Sequence, residues 1–260
     1  MLTALITGGS SGMGLEYARQ LAVKGYRLVL VSNVQEQLEN AEQEIRTLQN
    51  KSGYDPETVI KWADLAKQGA AYDLYSWCVD QKIFPDLLVC NAGMFFFKEL
   101  FSEDLPEVET MIRLHVETNT GLCILFGNLM KKRGSGRIVI MASMAAKLPA
   151  PGIAVYSATK AYLLSFGKSL WFEMHPYGVK VTTVCPAAIA TPLYRLKPSL
   201  MNLGVRLCII HKPEWLVRRA LHASEKGKRV IRPSFMNIYL PVLIAMLPAG
   251  VENRIWKQLR

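Results

Sequence analysis

The sequence predicts an α/β fold: a doubly wound parallel sheet of about seven strands with helices on both faces. Three observations carry that expectation. Short apolar runs suited to buried parallel strands alternate with helical patterns from Leu2 to Ile231. A cluster of glycines follows the first apolar run and opens the first helical pattern. The chain has 260 residues, 50% hydrophobic and 20% charged, which suits one large core.

The strand candidates, in order, are Leu2–Thr7, Arg27–Ser32, Thr58–Trp62, Leu87–Asn91, Gly136–Ser143 and Val179–Cys185, with Lys228–Ile231 as a seventh. The helix candidates between them are Met13–Lys24, Val34–Lys51, Gly69–Lys82, Glu107–Lys132, Tyr156–His175 and Glu214–Lys226. Continuous apolar strands joined by helices describe βαβ units, whose connections are right-handed. No internal repeat or low-complexity linker divides the chain, so residues 1–260 read as one domain.

Charge is unevenly placed. The net charge is +10, and residues 193–260 hold 13 of the 31 Lys/Arg against 3 of the 21 Asp/Glu. The excess therefore belongs to the C-terminal quarter. Such a tail can meet anionic lipid, nucleic acid or an acidic substrate, or form a solvated face, which is the default reading. No aromatic-interleaved basic groove accompanies it, so no nucleic-acid partner is expected. Cys78, Cys90, Cys123, Cys185 and Cys208 are odd in number and lack a Cys-x-x-Cys pair. Reduced thiols in a cytoplasmic protein, with no metal site, are the expectation. Leu2–Ile6 enters a strand pattern at once, without a charged and then apolar leader, so no signal peptide is expected.

The glycine cluster is Thr7-Gly-Gly-Ser-Ser-Gly-Met-Gly14. Glycine lets the backbone turn tightly and approach a pyrophosphate, and helix N-terminal N–H groups then point at the phosphates. A strand–helix turn with no ligand is the plain alternative. In context the pattern predicts a Rossmann-type dinucleotide site formed by Thr7, Gly8, Ser10, Ser11, Gly12, Met13 and Gly14. The second strand ends Val31-Ser32-Asn33 without the acid that would hold the ribose 2′-hydroxyl of NAD. Ser32 and Asn33 can hydrogen-bond a 2′-phosphate instead, and Arg19 or another basic residue can add charge. NADP(H) is the preferred cofactor on that ground, and NAD(H) the alternative. Asp64, followed by Leu65, either accepts from the adenine amino group or caps the next segment. Asn91-Ala92-Gly93 offers small residues where the backbone passes the cofactor.

Ser143, Tyr156 and Lys160 form the chemical set. Tyr156 and Lys160 are four apart and share a helix face. A phenol is a poor acid or base at neutral pH, and a nearby ammonium favours its ionised form. A group tuned toward the working pH is the better catalyst. Ser143 ends a strand and can orient a substrate oxygen. Tyr-x-x-x-Lys alone also describes an ordinary amphipathic helix with a snorkelling lysine.

Together, Thr7–Gly14, Asp64, Asn91-Ala-Gly93, Ser143, Tyr156-Ser-Ala-Thr-Lys160 and Pro186…Thr191 resemble the classical short-chain dehydrogenase/reductase pattern over residues 1–192. The resemblance implies an oxidoreductase of carbonyl and hydroxyl groups. Tyr156 is then general acid in reduction and base in oxidation, Lys160 also holds the nicotinamide ribose, and Ser143 positions the carbonyl. Pro186, Ile189 and Thr191 would lie against the cofactor. Two positions depart from the family. His115 falls where an Asn usually supports a proton relay, with Asn119 one turn further on. His115 can serve the same relay, bulge the helix differently, or be a hydrogen-bonded packing residue. Pro186-Ala187 stands where Pro-Gly is common.

The substrate side reads as apolar. Met94, Phe95, Leu148, Ile153, Leu193 and Tyr194 are the expected lining, with residues 192–213 as a lid segment. Such a lining favours a small lipophilic carbonyl substrate, although the same residues can simply pack the lid onto the body. Phe235–Leu247, within a basic and apolar extension from 232 to 260, is shorter than the roughly 20 residues that span a bilayer. It can lie in a membrane interface, giving peripheral membrane contact, or pack on the body or a partner subunit. The stretch from Ser143 to Thr191, with Gly178-Val-Lys-Val-Thr-Thr-Val-Cys-Pro, loosely resembles the subgroup of 17-beta-hydroxysteroid dehydrogenases and very-long-chain 3-oxoacyl reductases. That implies a 3-oxoacyl, sphingoid or steroid-like ketone. A dinucleotide-binding sensor or scaffold without turnover is the alternative from another class. The long helices Glu107–Lys132 and Tyr156–His175 resemble those that pair subunits in the family, implying a homo-dimer or homo-tetramer.

Overall fold

A computed structural model describes residues 1–54, 57–101, 104–148, 151–190 and 210–234, together with Tyr239 and Gly250. The expected substrate residues Leu193 and Tyr194, the cofactor candidate Thr191, most of the 192–213 segment and nearly all of the 232–260 extension lie outside those residues.

Seven parallel strands form one sheet in the order β3-β2-β1-β4-β5-β6-β7. They are β1 Thr3–Thr7, β2 Arg27–Ser32, β3 Thr58–Trp62, β4 Leu87–Cys90, β5 Gly136–Met141, β6 Val179–Val184 and β7 Val230–Ile231. The chain starts in the middle of the sheet, winds out through β2 and β3, then returns to place β4 on the other side of β1. The carboxyl ends of β1 and β4 therefore splay connections in opposite directions, and a crevice opens between them.

The helices are α1 Gly12–Ala22, α2 Gln35–Lys51, α3 Ala70–Asp80, α4 Leu105–Ile112, α5 Asn119–Arg133, α6 Ala154–Met174 and α7 Pro213–Glu225. Alternation along each strand feeds two cores. Leu5 faces a layer built by α3, α5 and α6, while Ala4 and Ile6 face a layer built by α1, α2 and α7. Leu5 and Ile6 have no exposed surface, and burying each such side chain stabilises the fold by about 1.5–3 kcal/mol.

The predicted helix over Glu107–Lys132 is not a uniform α-helix. Residues Arg113–Thr118 form a π-helical turn between α4 and α5. A π turn inserts a residue into the ladder and shifts carbonyls away from their usual partners. Two of them, Leu114 O and His115 O, accept from Asn119 Nδ2 at 3.2 and 2.9 Å. The helix thus carries its own repair, one turn downstream. Strands β4, β5 and β6 each stop short of the predicted ends. Beyond them Asn91, Ala142 and Pro186 border the crevice, while Cys185 N still donates to Ile231 O of β7 at 2.9 Å.

Candidate active site

The nucleotide end is built from backbone. Gly8 has φ +65° and Gly12 φ +53°, a left-handed conformation that favours glycine. A Cβ on Gly14 would stand 1.9 Å from Gly8 O, so the loop closes on itself only without that atom. Ser11 occupies the N-cap of α1 but its side chain makes no capping bond. The first N–H groups of α1 are left for a ligand, and Ser11, Gly12 and Met13 line the cleft in front of them.

Thr7 and Gly14 sit behind this cleft rather than in its wall. Thr7 Oγ1 donates to Val89 O at 3.2 Å and accepts from Asn91 N and Ala92 N at 2.9 and 3.0 Å. Asn91 Nδ2 returns to Thr7 O at 3.1 Å. These bonds lace β1 to β4 at the crevice mouth, so both residues support the cleft and Asn91 also faces it.

The cleft has a volume of about 700 Å³ and runs from the glycine loop past Ser32, Asn33, Asp64 and Leu65 to Ala92, Gly93, Tyr156 and Lys160. Pro186 and Ile189 close it from the β6 side. Asp64 caps the following turn, its Oδ1 accepting from Ala66 N at 3.0 Å, while its side chain still borders the cleft. The capping reading is the one with a bond behind it. Ser10 and Ser32 share a 2.7 Å hydroxyl contact. Arg19 lies in the adjoining recess but is paired with Glu44 at 2.5 Å and with Glu16 at 3.5 Å. Its charge is largely answered within the protein.

At the other end the walls include the buried polar side chains of His115, Tyr156 and Lys160, and Ser143 is buried just behind Ala142 rather than in the wall. Lys160 is 6% exposed and donates from Nζ to Met141 O at 2.9 Å. Burial pulls its pKa down from 10.5 to about 8. Its ammonium lies 5.6 Å from the Tyr156 ring centroid. Tyr156, itself buried, meets Phe95 edge to face at 4.9 Å and His115 at 5.9 Å. Ser143 Oγ accepts from Ala145 N at 3.1 Å and so caps the short 3-10 turn Met144–Lys147. That bond uses a lone pair, and the hydroxyl proton remains to be donated.

Of the expected substrate residues, Met94 and Phe95 line the cleft, and Ile153 packs beside them around Tyr156. Leu148 is buried at the end of the 3-10 turn and does not reach the cleft. Reading the sequence missed Gln37, Leu114 and Glu107, which also border the cleft. Gln37 had a usable signal, since it lies in the first turn of α2, shortly after the second strand. Among the described residues no group of three His, Cys, Asp or Glu side chains is placed to hold a metal ion.

The short chain dehydrogenase family pattern matches residues 2–199. The chain belongs to the short-chain dehydrogenase family. Its relatives in that family include the D-beta-hydroxybutyrate dehydrogenase of Rhizobium meliloti (strain 1021). It is 33% identical over 195 residues, covering 74% of this chain and 72% of the relative. The very-long-chain 3-oxoacyl-CoA reductase of Macaca fascicularis is 29% identical over 258 residues, 97% of this chain and 77% of that one. A short-chain dehydrogenase from Sphingobium yanoikuyae, solved in complex with NADPH, superimposes with a TM-score of 0.78 at 26% identity, covering 95% of this chain and 97% of that chain. As a short-chain dehydrogenase the chain is an oxidoreductase of hydroxyl and carbonyl groups. The seven-stranded sheet and the crevice at the β1/β4 divide are the fold of that family. No helix among the described residues is long and apolar enough to cross a membrane.

Proposed function

We propose that this short-chain dehydrogenase is an NADP(H)-dependent reductase of a small lipophilic ketone, with a 3-oxoacyl, sphingoid or steroid-like skeleton. One observation carries the reading: the buried Tyr156 and Lys160 stand at one end of a cleft whose other end is a glycine cradle at a helix N-terminus. A dinucleotide suits that cradle because the first N–H groups of α1 are uncapped by Ser11 and Gly8, Ser11, Gly12 and Met13 border the cleft, while the bare Gly8 lets the loop pack on Ala92.

A dinucleotide held by the Gly8–Met13 loop, Ser32, Asn33 and Lys160 would supply hydride for the carbonyl carbon. The protein's part is the proton and the alignment. Tyr156 gives its hydroxyl proton to the carbonyl oxygen in reduction and takes it back in oxidation. Ser143 donates to the same oxygen and fixes its direction. Lys160 holds a positive charge beside the phenol and reaches toward the nicotinamide ribose. The alcohol product then carries the hydride and the proton, and the phenol is recharged from solvent.

Preference for the 2′-phosphate rests on what is absent at the end of β2. Ser32 and Asn33 present hydroxyl and amide groups to the cleft and no carboxylate stands with them to repel a phosphate. The lipophilic substrate rests on the cluster of Met94, Phe95, Phe96, Ile153, Val155 and Met111 around Tyr156. It accords with the 3-oxoacyl-CoA reductase named among the relatives. Homo-oligomers and a peripheral membrane contact of the basic extension belong to the same proposal. The test is kcat/KM for NADPH against NADH, and for long-chain against short-chain 3-oxoacyl thioesters. Tenfold or greater preference for NADPH and for the longer chain is expected. Preference for NADH, or for a short polar ketone, would overturn the proposal.

A further inference from the structure

His115 lies on the π turn with no exposed surface, and both of its ring nitrogens are engaged. Met94 N donates to Nε2 at 3.0 Å. A backbone amide can only donate, so Nε2 must be the bare nitrogen. On the other side Nδ1 lies 2.9 Å from Thr159 Oγ1. The single proton of that hydroxyl goes to Tyr156 O at 2.8 Å, so Thr159 accepts here and Nδ1 carries the hydrogen. The partners thus select one neutral tautomer. A second proton would set N–H against N–H at Met94 and break that link.

We propose that His115 is a permanently neutral clamp, a positioning residue that ties the Asn91–Met94 turn to α6 beneath Tyr156, and that its ring does not carry the site's proton. The inference rests on the assignment of Tyr156 as the proton donor. The chain of bonds runs Met94 N–H to His115, His115 to Thr159, and Thr159 to the carbonyl of Tyr156 itself. It spans the two walls that must hold cofactor and substrate in register. The ring is seated against the turn tightly enough that a Cβ on Gly93 would stand 2.9 Å from Nε2. The absence of a side chain at Gly93 leaves the space the ring occupies. The ring sits on the π turn, and Asn119 braces that turn, its amide donating to the carbonyls of Leu114 and His115.

The surroundings favour the uncharged ring. Desolvation acts first, and the charge of Lys160 acts second and in the same direction, holding the imidazole well below its ordinary pKa. Tyr156 and Lys160 are the titratable groups that face it from α6. The Asn91–Met94 turn contributes an amide and no charge.

The test is a 15N-histidine NMR titration of the wild-type 260-residue chain from pH 5.5 to 9. The sequence has four histidines, and His115 is assigned by elimination through His175→Gln, His211→Gln and His222→Gln. Expected is a pyrrole-type Nδ1 and a pyridine-type Nε2 with no titration across the range. A protonation midpoint inside the range, or the opposite tautomer, would overturn the clamp. This reading does not depend on turnover, so it separates from any failure to reduce a ketone. Where a 3-oxoacyl thioester is reduced, His115→Gln keeps an acceptor for Met94 N, so most of kcat and the shape of its pH profile should survive. His115→Phe removes both links and should lower kcat by about tenfold to a hundredfold with KM for NADPH little changed. Loss of a limb of the pH profile in His115→Gln would show the ring passing protons and would also overturn the proposal.

Discussion

The two ends of the cleft are made by opposite means. The nucleotide end, from Gly8 to Gly14 with Gly93 facing it, works because atoms are missing: the backbone closes on itself and leaves helix N–H groups open. The chemical end, from Ser143 to Lys160, works because polar side chains are buried and each is given a partner. An added atom injures the first end, and a lost or mismatched hydrogen bond injures the second. Binding and chemistry are therefore separable by mutation.

That contrast is open to attack in four places. The largest expected effect is at the chemical end, where Tyr156→Phe should lower kcat by about 10²–10⁴-fold, the usual contribution of a positioned acid–base group. Calorimetric titration with NADPH should show binding retained, and the contrast breaks if binding goes with turnover. Lys160 comes next. Unfolded, its amine titrates near 10.5, and folded near 8. Between those values the unfolded chain holds a proton that the folded chain has released. Stability of the nucleotide-free protein should rise with pH across that window, by up to about 3 kcal/mol. Denaturant curves at pH 7 and pH 10 for wild type and Lys160→Met check it: the rise should shrink in the variant. Ser143→Ala should lower kcat by about 10²-fold, as loss of one donor to a developing oxyanion does. Stopped-flow traces should show the chemical step slowed while nucleotide binding is unaffected. The smallest effect on the fold is at the other end. Gly14→Ala should cost about 1–3 kcal/mol through overpacking against Gly8 O. It should weaken NADPH binding more than it slows the bound complex, which fluorescence titration beside single-turnover rates would show.

The same contrast explains what the sequence made legible. Missing atoms leave a spacing that can be read, and Gly8, Gly12 and Gly14 mark the cradle without a coordinate. The strands were readable too, since runs such as Leu87–Val89 and Ile138–Ile140 bury both faces and lack alternation. Tyr156 and Lys160 announce themselves by helical spacing. Pairings between distant segments leave no such trace. The bond from Thr159 to His115 joins residues 44 apart, and Thr159 is one unremarked position inside Tyr-Ser-Ala-Thr-Lys. A bulge of the helix at His115 was one of several open readings, and the sequence could not single it out, for a related reason. It depends on Asn119 reaching back to two carbonyls, and hydrophobic periodicity does not report which carbonyls a side chain satisfies. The tie that Thr7 makes was not legible: one bond reaches Val89 of β4 and two come from Asn91 and Ala92 just beyond it, 82 to 85 residues along the chain.

The central claim is that this cleft carries hydride transfer coupled to a proton from Tyr156, and not nucleotide binding alone. The most direct measurement follows NADPH absorbance and product together when a long-chain 3-oxoacyl thioester is added to the wild-type protein. The account predicts one 3-hydroxyacyl product for each NADPH oxidised, with both lost in Tyr156→Phe. NADPH that binds but is consumed by none of a panel of ketones, or is consumed equally fast by Tyr156→Phe, would contradict it.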